Sequence, residues 1–304
     1  MNISGTSKRA TEEKRHAAGT SVIAAVGLTA FKVVIGLLTG SLGILAEAAH
    51  SALDLIAALM TFFAVKLSDK PADQHHTYGH GKIENLSALF ETVLLLVTCA
   101  WIIYEAVRRL FFHFVEIEVT FWSYAVMVTS IVIDASRSRV LSRAAKKYNS
   151  QALEADALHF STDIWSSAVV ILGLVCMQVS TNFPKLEFLH HADAFAALSV
   201  AAIVVYISIK LGARTINALL DAAPEGMKEK ITEAVEALPG IVDCHHVRVR
   251  PMGSSYFIDV HVHMDGKQSL MKAHNLTEKI EQTIEKIIPN ADVTVHPEPY
   301  IEKE

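Results

Sequence analysis

The sequence predicts a membrane α-helical fold, six transmembrane helices followed by a small α+β ferredoxin-like domain, and three observations carry that prediction. Six apolar runs succeed one another between residues 17 and 219, each near the roughly 20 residues a helix needs to cross a bilayer. Of the 304 residues, 51% are hydrophobic and only 19% charged, which leaves room for just one modest soluble domain. After Asp221-Ala-Ala-Pro224 the pattern switches to alternating helical and strand periods. The chain therefore divides into a transmembrane domain, 1–220, and a soluble domain, 221–304.

In order, the predicted spans cover about residues 17–39, 41–66, 86–112, 119–141, 152–178 and 193–219. Met1 to His16 is polar and of mixed charge, and the first run is too long for a cleaved signal, so it reads as a retained span. The short Thr39-Gly40-Ser41 link makes spans one and two a helical hairpin. Basic residues set the orientation. Lys8, Arg9, Lys14 and Arg15 precede span one, Lys66, Lys70 and Lys82 follow span two, and Arg137, Arg139, Arg143, Lys146 and Lys147 follow span four. The opposite loops, His113 to Glu118 and Ser180 to Ala192, hold only Lys185, so both termini are expected in the cytoplasm; Arg108 and Arg109 run against the trend. In the tail, 225–238 and Met271 to Ile288 read as helices, and Ile241 to Arg250, Tyr256 to Met264 and Ala291 to His296 as strands, an α-β-β-α-β order.

A net charge of -5 gives no basic field, which argues against nucleic acid as a partner. The three cysteines form neither a disulfide framework nor a Cys-xx-Cys zinc pair. The chemistry lies instead in histidines and carboxylates. His50 and Asp54 in span two, and His159 and Asp163 in span five, are pairs four residues apart, so each pair shares one helix face. Counted from the ends of their antiparallel spans, both pairs lie near the midplane. Ionisable groups at that depth are expensive and mark function, and two imidazoles with two carboxylates suit a tetrahedral divalent ion, zinc above all. Glu47 and Asp156 stand three residues before the histidines, as in Glu-x-x-His di-iron bundles, but the repeated Glu set is absent; they are expected to line a water-filled approach or cap a helix turn.

Two further clusters follow. The loop from Lys70 to Glu84 packs five potential ligands, Asp73, His75, His76, His80 and Glu84, between Pro71 and two glycines. The tail contains His245, His246, His261, His263, His274 and His296, followed by Glu298; in Asp259-Val-His261-Val-His263 the histidines project from one face of a strand. Neither a His-Glu-xx-His helix nor a nucleophile triad is present, so an enzyme is not expected.

The Gly40-Ser-Leu-Gly-Ile-Leu-Ala46 opening of span two, the Tyr78-Gly-His-Gly-Lys82 loop, the Asp156-Ala-Leu-His159 segment and the tail together resemble the cation diffusion facilitators, in particular the bacterial zinc and ferrous-iron efflux type. The resemblance covers nearly the whole chain. It implies a homodimer in the bacterial inner membrane that exchanges a cytoplasmic divalent cation for protons. It implies a transport site at His50, Asp54, His159 and Asp163, a loop site at Asp73, His76 and His80, and a bimetal tail site at His245, His261, His274, His296 and Glu298. It also implies a charge interlock between Lys82 and Asp221 at the dimer's membrane face. Close bacterial relatives carry aspartate where this chain has His50, so the His-Asp-His-Asp set resembles the zinc-selective branch; added nitrogen favours zinc over harder ions. The alternatives are iron, manganese, cadmium or cobalt as the main cation, or a non-transporting membrane-anchored metal sensor or partner subunit.

Overall fold

The structure, a computed structural model, describes residues 3–111, 121–182 and 192–300. The His113 to Glu118 loop and Lys185, used above for orientation, lie outside the described residues. Six long helices come first: α1 (Ile3–Thr39), α2 (Leu42–Ser68), α3 (Lys82–Phe111), α4 (Phe121–Tyr148), α5 (Gln151–Asn182) and α6 (Ala192–Leu219). The tail follows as α7 (Met227–Glu236), β1 (Ile241–Met252), β2 (Ser255–Asp265), α8 (Leu270–Ile287) and β3 (Ala291–Tyr300).

Among the described residues, four helices are long and apolar enough to cross a membrane: those containing Arg9–Thr39, Glu47–Ser68, Lys82–Arg108 and Leu198–Leu219. The fourth and fifth predicted spans, α4 and α5, are not among these four. Asp134 and Arg137 on α4, and Asp156 and His159 on α5, face the interior. Lipid-type surface lies on all six helices, with Ile23 and Leu37 of α1, Phe63 of α2, Val97 of α3, Val132 of α4, Leu172 of α5 and Ile203 of α6 turned outward.

Helices pack in pairs, α1 on α2, α3 on α6 and α4 on α5, with α5 also against α3 and α2. Small residues make the close approaches, among them Ala18, Ala57, Ala58, Ala88, Ala152 and Ala155. The α1–α2 hairpin turns at Gly40, whose φ of +65° suits glycine, and Ser41 caps α2 by accepting the Ile44 N–H. The polar N-terminal stretch is helical too. It is the first stretch of α1, because its charges have partners: Lys14 lies buried between Glu84 (2.8 Å) and Asp69 (3.0 Å), and Glu13 receives Lys147 and Tyr148.

The tail is a two-layer unit. β1 runs antiparallel to β2, and β2 parallel to β3 through the α8 crossover. Ile258, Val260, Val262 and Met264 alternate along β2 and meet Ile231 and Val235 of α7 and Ile280 and Ile284 of α8 in one core. The period of two then sends His261 and His263 to the opposite face, which no helix covers. Tail and bundle meet tightly at Gly81: a Cβ there would stand 2.6 Å from the Met252 carbonyl oxygen.

Candidate metal centres

In the membrane domain α2 and α5 bring their two pairs together. Nε2 of His159 lies 3.1 Å from Oδ1 of Asp54 and 3.7 Å from Oδ2 of Asp163; Nε2 of His50 lies 3.9 Å from an oxygen of each aspartate. The four groups form a ring in which nitrogen and oxygen alternate. Ligand atoms around a tetrahedral zinc, with bonds of about 2.0–2.1 Å, stand about 3.3–3.4 Å apart, so small movements would close this ring on one ion. His159 is 3% exposed, and its Nδ1 and Oδ2 of Asp163 have no hydrogen-bond partner among the described residues. His50 is the open side of the ring, its side chain 42% exposed.

The surroundings hold polar groups that local spacing did not reveal. Buried Lys32 of α1 reaches Glu47 (3.2 Å) and Ser51 (2.8 Å), so Glu47 is an ion-pair partner rather than a helix cap. Asp156 is fully buried, and neither of its oxygens accepts a backbone N–H among the described residues, so it does not cap a turn. Buried Glu91 accepts from Thr61, and Arg137 contacts Asp134 and Ser21. Lys32 and Glu91 were legible in principle as lone charges inside apolar runs, whereas Arg137, counted above among the basic residues after span four, is buried.

In the loop, Asp73 faces His76 Nδ1 at 3.2 Å and His80 Nε2 at 3.4 Å, and the two rings lie 4.5 Å apart. The backbone N–H groups of His76 and His75 both donate to Asp73, holding its carboxyl below the ordinary range. Glu84, considered as a fifth loop ligand, instead points into the bundle, where Lys14, Ser68 and Ser150 occupy it. Lys82 Nζ sits 2.8 Å from Asp221 and 3.1 Å from the Leu219 carbonyl within the same chain, and Arg250 approaches Asp221 at 3.8 Å.

On the open face of the tail sheet the register sets two rows across three strands. Asp243, His263 and Glu298 form one row; His245, His261 and His296 form the other. His261 Nδ1 lies 2.8 Å from Glu298, and Nε2 of His296 3.8 Å from the same oxygen. The His261 imidazole holds the Glu298 carboxyl below its ordinary 4.5. His263, with His245, likewise lowers Asp243. His274 is not brought to this face: it stands on α8, exposed, against Glu278 at 3.6 Å. Cys244 faces the core, away from the histidines, and burial pushes its thiol up to about 11. Sequence spacing picks out His261 and His263 on β2; the place of Asp243 needs the β1–β2 register.

Comparison with known proteins agrees with this architecture. Residues 20–220 match the cation efflux transmembrane domain and residues 223–300 the cation efflux protein cytoplasmic domain. The cation-efflux pump FieF of Cronobacter sakazakii is 31% identical over 290 residues, covering 93% of this chain and 92% of the pump. FieF of Yersinia enterocolitica is 30% identical, covering 94% and 92%. Among solved structures, the metal-bound C-terminal domain of the CzcD transporter from Thermotoga maritima is 39% identical over 24% of this chain and 86% of that domain, with a TM-score of 0.23. The chain belongs to the cation diffusion facilitator family and is an integral membrane cation-efflux protein.

Proposed function

We propose that the protein is a zinc/proton antiporter that exports zinc from the cytoplasm by alternating access. It works as a homodimer in the bacterial inner membrane, with six spans in the lipid bilayer, a ferredoxin-like tail from residue 221 and both termini cytoplasmic. The observation that carries this reading is the alternating ring of His50, Asp54, His159 and Asp163 on α2 and α5.

The ring explains the exchange by charge alone. Two ionised aspartates and two neutral imidazoles around a divalent cation sum to zero. The same neutral total is reached when the ion leaves and both imidazoles are protonated. Net charge at membrane depth is strongly penalised, so the site favours occupancy by metal or by protons over neither. A proton gradient then biases which occupant is released on each side. Two nitrogens per site favour zinc over iron or manganese. The loop residues Asp73, His76 and His80 offer a second, more exposed zinc site, and the tail residues His245, His261, His296 and Glu298 a third. Lys82 and Asp221 join α3 to the start of the tail, and thereby fix the tail against the membrane domain.

The test is uptake into proteoliposomes under a pH gradient, comparing zinc, iron, manganese and cadmium, for the wild type and His50→Asp. Zinc-selective, gradient-dependent flux that broadens to cadmium or iron in the variant is expected. Absence of flux for every ion, with zinc still bound to the tail, would favour a sensor or partner subunit instead.

A further inference from the structure

The row of Asp243, His263 and Glu298 has a geometry of its own. One oxygen of Asp243, Oδ2, lies 2.9 Å from Nδ1 of His245 and 2.9 Å from Nδ1 of His263. A carboxylate oxygen only accepts, so each imidazole donates its Nδ1–H, and both Nε2 lone pairs are left free. Those two Nε2 atoms face a common point. Both approach Oε2 of Glu298, at 3.4 Å from His245 and 3.5 Å from His263. The rings themselves are 4.7 Å apart and tilted by only 34°. The separations match the roughly 3.3–3.4 Å edge of a tetrahedral centre with bonds of about 2.0–2.1 Å. Glu298 meanwhile turns its other oxygen, Oε1, to His261 and His296.

We propose that His245, His263 and Glu298 hold a divalent transition-metal ion of the zinc class in a centre contained within a single chain, with Asp243 as the carboxylate that orients both imidazoles. The family resemblance assigns no role to Asp243 or His263; the inference deepens the reading of the tail as a metal-binding domain and rests on it. The backbone explains the fit. Asp243 pairs directly with His263 across β1 and β2, and His263 with Glu298 across β2 and β3, so the three side chains stand in a line across the sheet. An irregularity in the ladder after His245 begins the change of register, and His246 adopts a φ of +50° there. Glu298, with one oxygen on each side, would bridge this ion and a second one at His261 and His296. A carboxylate that fixes a ligating imidazole through its far nitrogen raises the ligand's basicity, and its loss typically weakens metal affinity about 10–100-fold.

The experiment uses the full-length chain in detergent, with Asp54→Asn and Asp163→Asn introduced throughout to silence the membrane ring. Zinc per chain is measured by elemental analysis after equilibrium dialysis, and the visible absorption of bound cobalt(II) reports ligand geometry. His263→Gln is expected to lose one ion per chain and the matching part of the cobalt spectrum. Asp243→Asn is expected to keep the saturated stoichiometry with affinity lowered about 10–100-fold. Unchanged stoichiometry and spectrum in His263→Gln would overturn the centre, as would unchanged affinity in Asp243→Asn. Should the His245→Gln, His261→Gln, His296→Gln triple variant bind as much metal as its parent, the tail reading itself fails, which separates that failure from failure of the centre alone.

Discussion

The ring between α2 and α5 and the grid on the tail sheet are built from the same two side-chain types but in opposite surroundings. In the ring the ligands sit four residues apart on two helices, His159 is almost wholly buried, and a nitrogen and a carboxylate oxygen are left without hydrogen-bond partners. In the grid they sit two residues apart and across a register of three strands, His261 and His263 are about one third exposed, and each carboxylate already contacts imidazoles within 2.9 Å. An empty ring without compensating protons leaves charge in a poorly solvated place. An empty grid loses little, because water and internal pairs satisfy it and the core beneath holds the strands. If the ring is the transport site proposed above, the contrast predicts turnover there and retention in the grid.

The largest expected effect falls on the ring. Asp54→Ala removes the closest partner of His159 and one ligand together; breaking a buried ion pair costs about 3–5 kcal/mol, so zinc flux in proteoliposomes should fall by about 10²–10³-fold or more. His261→Ala in the grid should leave flux measurable. Equal collapse of flux in both variants would break the comparison, since the grid would then belong to the transport cycle.

A core change sharpens it next. Ile284 is fully buried beneath the sheet, and Ile284→Ala should destabilise the tail by about 2–5 kcal/mol. The three tryptophans, Trp101, Trp122 and Trp165, all lie in the membrane domain, so thermal unfolding followed by their fluorescence should hardly move while proteolysis of the tail accelerates. Coincident shifts would mean that tail and bundle unfold as one unit. Smaller still is Lys82→Met, which removes a partly exposed pair at 2.8 Å worth up to about 1 kcal/mol. It should increase cleavage near Asp221 without lowering the zinc affinity of the ring; a matching loss of zinc affinity would show the two regions to be coupled there.

What was legible in the sequence follows the same division between local and long-range structure. His50 with Asp54 and His159 with Asp163 are i,i+4 pairs, so helix period alone places each pair on one face, and the strand period alone places His261 with His263. The alternation of β2 and the amphipathic period of α8 likewise place those two elements to within one residue at each end, whereas β3 runs four residues beyond the predicted His296. Pairings over long separations were not readable. Glu84 looks like a loop ligand until Lys14, 70 residues earlier, is found against it, and the ion pair of exposed Glu47 shows only once Lys32 arrives from α1. His274 stands on α8, exposed beside Glu278, away from the other tail histidines of its own chain. Asp243 has no local signal at all, because only the register puts it opposite His263.

The smallest effect tests whether the grid is self-satisfied without metal. Glu298 is held below its ordinary 4.5 first by His261, and Asp243 below 3.8 first by His263. A carboxyl depressed in the folded state stabilises that state fully above its unfolded value, and the contribution is lost as pH falls through the lower folded value. In the metal-free protein, carboxyl-carbon NMR should therefore show Glu298 titrating below 4.5, with His261→Gln moving its midpoint back up; His263→Gln should do the same for Asp243. Ordinary midpoints in the wild type would mean that these pairs are not held before metal arrives, and the grid would resemble the ring in needing an occupant.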